Sequence, residues 1–148
     1  MIKVNELRLG NYIERNGVTA TVEIINGELD EVSFLGEDFY YADCSFNLQP
    51  SLLTEEWLLK FGFENWGKGK IWNNDFETYD RFVLYNVLDG TSNFEVHFIK
   101  STYGNSDHYQ YVISCDEGDR IHWGKEIINV HQLQNLYFSL TGEELTTN

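Results

Sequence analysis

Residues 12–35 read YIERNGVTATVEIINGELDEVSFL, and the fold of the first third of the chain turns on them. Asn16-Gly17 and Asn26-Gly27 both have the composition of type I′ turns, whose two central positions need φ > 0, which Asn and Gly tolerate best. The first predicts a hairpin of 12–15 with 18–25, setting Ile13 against Ala20 and Tyr12 against Thr21. The second leads into 31–35, where Val32 and Phe34 share one face. Segments 39–42 and 46–48 extend the series, and Pro50 ends it. Five short strands with tight turns predict a small SH3-like antiparallel β-barrel or roll over residues 1–50.

Residues 51–63 then read as a short helix. Thr54 is placed to cap it, and Glu55 and Glu56 put negative charge on its first turn. Leu53 and Leu58 have the spacing of a hydrophobic staple, and Gly62 followed by Phe63 has that of a Schellman ending. From 64 to 128 the pattern returns to strands. Asp89-Gly90 predicts a hairpin pairing Leu88 with Thr91, so that Val83 faces Val96 and Tyr85 faces Phe94. The opposite face then sets His97 against Phe82 and Glu95 against Leu84. A further hairpin turns at 116–119 and matches Ile113 with Trp123 and Cys115 with Ile121. The last helix begins at Asn129, with Gln132 placed to reach back to it, and stops at Gly142. Its apolar stripe is Val130, Leu133, Leu136, Tyr137 and Leu140, with His131, Gln132, Gln134 and Asn135 pointing elsewhere. The class is α+β. The expected second unit, 51–148, is helix, antiparallel meander and helix packed as one core, with the Leu136 side chain buried in it.

Composition narrows the function. The 148 residues are 42% apolar and 16% aromatic, which suits a folded chain with a substantial core and not a disordered one. The formal net charge is −14, and no Lys or Arg lies between Arg15 and Lys60 while nine carboxylates do. Phosphate backbones and anionic lipids call for the opposite charge, so direct nucleic-acid binding and membrane binding are disfavoured. The N-terminal residues lack the apolar core of a signal peptide, and no apolar run approaches a membrane span. Cys44 and Cys115 stand far apart, in no metal-binding spacing, and read as small apolar residues of a reducing cytoplasm.

Catalytic patterns are missing as well. His97, His108, His122 and His131 fall in no local metal-ligand spacing, so neither metal nor other cofactor is expected. Asp107 and His108 are neighbours on an extended segment and point to opposite sides, which does not make an acid–base dyad. Gly67-Lys68-Gly69-Lys70 lacks the spacing and the hydroxyl of a phosphate-binding loop. No catalytic residue is assigned, and an enzyme is not expected.

Three segments carry a resemblance: Asn5-Glu6-Leu7-Arg8-Leu9-Gly10-Asn11, then 53–63 (LTEEWLLKFGF), then 131–145 (HQLQNLYFSLTGEEL). In that order the chain resembles a family of small uncharacterised proteins of Bacteroidota phages and prophages. The resemblance implies a phage-type accessory protein in the cytoplasm of a bacterial host, and no chemistry.

What remains is recognition. Two aromatic-rich loops are expected at 66–79 and 103–109, carrying Trp66, Lys68, Lys70, Trp72 and Asn74 in one and Tyr103, Asn105, Asp107 and His108 in the other. Aromatics in loops give contact area at low entropic cost. The expected function is a non-enzymatic binding module for a host protein or a small ligand, of open oligomeric state. The alternative is an acidic decoy, a phosphate mimic whose carboxylates would occupy a basic host surface, as a counter-defence protein would.

Overall fold

The computed structural model describes residues 2–29, 31–35, 40–44, 48–70, 78–88, 92–100, 108–115 and 120–147. The class is α+β, with two antiparallel sheets and two α-helices among the described residues. By contact density the chain forms two units. The first joins Met1–Leu52 to Asn129–Thr146, and the second holds Leu53–Ile128.

In the first unit, a 3-10 turn (Val4–Glu6) precedes strands β1 (Tyr12–Arg15), β2 (Val18–Asn26), β3 (Glu31–Leu35) and β4 (Tyr40–Cys44), in the order β1-β2-β3-β4. The first hairpin has the expected register, Ile13 opposite Ala20 and Tyr12 opposite Thr21. Asn16 and Gly17 both adopt positive φ, +52° and +80°, as a I′ turn requires. The second Asn-Gly behaves otherwise. Asn26 stays in β2 opposite Glu31, and its Oδ1 accepts from the N–H groups of Glu28 and Leu29. The side chain closes a longer turn there, and Gly27 is not left-handed.

Among the described residues the sheet does not close into a barrel, which corrects half of the barrel-or-roll expectation. After β4 the chain returns to β1 through one bridge, Glu14 with Gln49, made by two backbone hydrogen bonds of 2.9 Å. Of the expected strand 46–48, Leu48 is described and buried, and the rest lies outside the described residues. The core joins Ile2, Val4 and Leu7 to the inward positions Ile13, Ala20, Val22, Val32 and Phe34, with Leu48.

Helix α2 (Val130–Thr141) belongs to this unit, not to the meander, contrary to the division at residue 50. Its buried residues are Val130, His131, Leu133 and Gln134, while Leu136 and Tyr137 are half-buried and Leu140 is exposed. The stripe is therefore rotated from the expected one, and hydrogen bonds explain the rotation. Gln134 Oε1 accepts from Tyr12 N–H (2.8 Å), and its Nε2 donates to the carbonyls of Gly10 (3.0 Å) and Leu145 (3.1 Å). Asn135 Nδ2 donates to the carbonyl of Glu6 at 2.8 Å, and Asn135 Oδ1 accepts from the buried Asn11 at 3.1 Å. Arg8 stacks on Phe138, its Cζ 3.3 Å from the ring centre, and pairs with Glu144 at 2.9 Å. Main-chain groups of the N-terminal segment and of Leu145 thus take partners from side chains of the helix. Gln132 reaches back to Asn129 N–H (3.1 Å), and Gly142 ends the helix at φ +76°, both as expected.

In the second unit, α1 (Glu55–Lys60) has Thr54 as its cap, accepting from Trp57 N–H. Gly62 at φ +85° stops it, with Phe63 N–H bonded to Leu58 O and Gly62 N–H to Leu59 O, both at 3.0 Å. That is the Schellman pattern the sequence predicts. The sheet runs β5 (Glu64–Lys70), β6 (Thr78–Leu88), β7 (Ser92–Lys100), β8 (His108–Cys115) and β9 (Arg120–Ile127), in sequence order. Its core includes Leu58, Phe61, Phe63, Phe82, Phe94 and Val96, with Phe63 and Phe94 ring to ring at 6.0 Å.

Both predicted meander registers are wrong by one residue. Leu88 pairs with Ser92, not Thr91, and an irregularity between Leu84 and Leu88 sets Val83 opposite Glu95, Phe82 opposite Val96 and Leu84 opposite Phe94. In the last hairpin Trp123 pairs with Val112, and Ile113 with His122. Because the side-chain period is two, such a slip changes which residues share a face.

Candidate functional site

The corrected register assembles a cluster on one face of the second sheet. Arg81 stands opposite His97 and Val83 opposite Glu95, so Arg81, Glu95 and His97 lie together. The Glu95 side chain is 2% exposed and that of His97 0%. A carboxylate buried this deeply needs partners. Arg81 supplies two, its Nε donating to Glu95 Oε2 at 2.8 Å and its Nη2 to Oε1. His97 Nε2 lies 2.7 Å from Glu95 Oε2. A carboxylate paired with a guanidinium can only accept, so Nε2 of His97 carries the hydrogen. The Arg81 side chain remains 32% exposed and leads from this buried pair to the surface.

At the surface stands Trp66. Asn65 pairs with Phe82 and Lys68 with Asp80, so Trp66 and Gly67 together oppose the single residue Arg81. This is a β-bulge, a device that re-aims a side chain. Gly67 takes φ +78°, and its N–H is held by Asn65 Oδ1 at 2.8 Å. Asn65 is anchored in turn, its Nδ2 donating to Glu55 of α1 at 3.1 Å. The indole contacts two groups. Arg81 Cζ lies 5.0 Å from its ring centre, and the Tyr85 ring lies 5.4 Å away at 55°. Trp66 is nonetheless 53% exposed. Glu64, opposite Val83, stands exposed on the same face of β5. The Tyr85 phenol is pushed above its usual value, first by burial and then by the charge of Glu64, with Glu95 adding to and Arg81 opposing the effect.

The residues named from sequence fare unequally. Trp66 is at the centre of this surface. Lys68 is exposed opposite Asp80, and Lys70 pairs with Thr78, so 66–70 is strand and not loop. His108 opens β8 opposite Ile99, again in a strand. Trp72, Asn74, Tyr103, Asn105 and Asp107 lie outside the described residues. Arg81, Tyr85 and Glu95 escaped the sequence reading. A buried-strand Glu two residues from a His was the available signal, and the wrong register hid their shared partner.

An open depression of about 560 Å³ lies in the first unit, lined by Lys3, Val4, Asn5, Leu7, Ile25 and Gly27. It gathers one charge and one side-chain amide, too little to orient a ligand. Among the described residues no group of three His, Cys, Asp or Glu side chains is placed to hold a metal ion, and no helix is long and apolar enough to cross a membrane. No protein-family model, curated protein or solved structure matches this chain.

Proposed function

We propose that the protein is a non-enzymatic binding module of phage-accessory type that engages a host protein or small ligand through the surface centred on Trp66. One observation carries the reading: an indole 53% exposed yet in contact with Arg81 and Tyr85 on a bulged edge strand. An exposed aromatic already held in place buries a large area on contact and loses little conformational freedom. The buried Glu95–His97 pair fits the same reading as the support of Arg81, since His97 is sealed from solvent. The contact residues expected from sequence, Lys68, Lys70, Trp72, Asn74, Tyr103, Asn105, Asp107 and His108, stay part of the proposal.

The acidic-decoy reading draws less support. Its carboxylates run from Glu23 to Asp43; of these Glu23 and Glu28 are exposed in the first unit, while Asp30, Glu37 and Asp38 lie outside the described residues. The test is retention of a partner from bacterial lysate by the immobilised protein, comparing the parent with Trp66→Ala. Retention should be lost while the thermal midpoint stays within about 3 °C, the shift that a surface change of ~0.5 kcal/mol produces. Unchanged retention at an unchanged midpoint would remove Trp66 from the interface.

A further inference from the structure

We infer that the Trp66 surface takes a cationic side chain, an arginine or lysine presented by a basic segment of a partner protein. The inference rests on the reading of that surface as a binding site and names the chemistry it accepts. Three observations on one sheet face lead to it. The first is the indole itself, half exposed, with its π-face already holding a guanidinium at 5.0 Å. Trp is the strongest cation–π partner among the side chains. The second is charge. Among the described residues Glu64 and Glu95 share this face with Arg81, and Arg81 is engaged by Glu95 through two of its nitrogens, while the exposed Lys68 stands opposite Asp80. The exposed Glu64 carboxylate is thus left to complement an incoming cation beside the ring. The third is Tyr85, whose ring lies 5.4 Å from the indole at 55° and so makes a second aromatic wall. An aromatic pair flanked by a carboxylate is the arrangement that recognises ammonium and guanidinium groups.

The chain as a whole favours the same class of partner. With a net charge of −14 it attracts basic segments over a distance and repels phosphate backbones, which separates a basic peptide from a nucleic acid as the occupant. The ring supplies selectivity within that attraction, because a diffuse acidic surface does not depend on any one residue.

A decapeptide of alternating Arg and Ala, fluorescently labelled and titrated at 150 mM salt, is the probe, with an Arg→Gln version as its control. Binding to the parent should weaken about tenfold in Trp66→Ala and about threefold in Glu64→Gln. Glu28→Gln makes the same charge change on the exposed edge of the first unit and should leave binding unchanged. Trp66→Phe, which keeps a ring, should retain more affinity than Trp66→Ala, so loss of folding is told apart from loss of the contact. Equal weakening by Glu64→Gln and Glu28→Gln would overturn the proposal in favour of diffuse charge. So would equal binding of the Gln peptide. If the Arg peptide fails to bind while lysate retention still requires Trp66, the cationic class is wrong and the binding surface stands. If retention does not require Trp66, the underlying reading fails first.

Discussion

Burial pushes the His131 imidazole below its ordinary value of 6.5, with the Glu6 carboxylate opposing the effect in part. The ring is 2% exposed at the second position of α2, and its Nδ1 has no hydrogen-bond partner. Positive charge is unwelcome there for a second reason, since the N-terminal end of a helix is already the positive end of its dipole. The unfolded chain therefore takes up a proton near pH 6.5 that the folded chain declines. Stability that is intact above that pH is lost as the pH falls from 6.5 toward the lower folded value. The urea midpoint should drop between pH 7.5 and pH 5.5, and the drop should shrink in His131→Gln. The same slope in parent and variant would show that other groups cause it. Three positions along, Gln134 is as buried as His131, but all three of its recorded hydrogen bonds go to main chain. Two polar residues of one helix face thus have opposite consequences, and a hydrophobicity pattern scores both as solvent-facing.

Among the elements, the two Asn-Gly dipeptides show how far turn chemistry alone carries. Gly17 has φ +80° and Gly27 does not occupy the left-handed region, while an added Cβ at either meets nothing within 4 Å. Gly17→Ala should therefore cost about 1 kcal/mol, and Gly27→Ala should be neutral or slightly stabilising, as read from chemical denaturation midpoints. Equal effects would mean that the two turns do not differ in solution. Helix ends and the first hairpin were legible because their signals are local: Thr54, Gly62, Gly142 and Asn16-Gly17 each act within four residues. The meander was legible as strands but not in register. Its alternation reads equally well after a slip of one residue, and the irregularity near Leu84–Leu88 depends on pairing that no short window contains. That slip hid the candidate site, since it put Phe82 in place of Arg81 opposite His97.

At the scale of the whole molecule, contact density groups α2 with the N-terminal strands, an allegiance that was not legible in the sequence. An amphipathic stripe says that a helix has a buried side without naming what covers it. The side chains that do decide it, Asn11, Gln134 and Asn135, are polar and far apart in sequence. Two of the three resembling segments, 5–11 and 131–145, meet in this one unit. A chain ended at Ile128 should lose the first unit, with disappearance of its protected amides in hydrogen exchange, while β5–β9 remain protected. Persistence of protection in β1–β3 would show that the N-terminal sheet stands without the helix. The same arrangement sets a timetable for synthesis. Strands β1–β4 leave the ribosome first, but the helix that completes them follows only after all of Leu53–Ile128 has been made. At elongation rates of about 5–20 residues per second the interval is roughly 4–15 s, long against the folding time of a small domain. The segment translated in between can reach its folded state while the earlier one still waits, with the Tyr12 N–H, the Gly10 carbonyl and the Asn11 amide in want of the helix's side chains, so the order of folding runs against the order of translation.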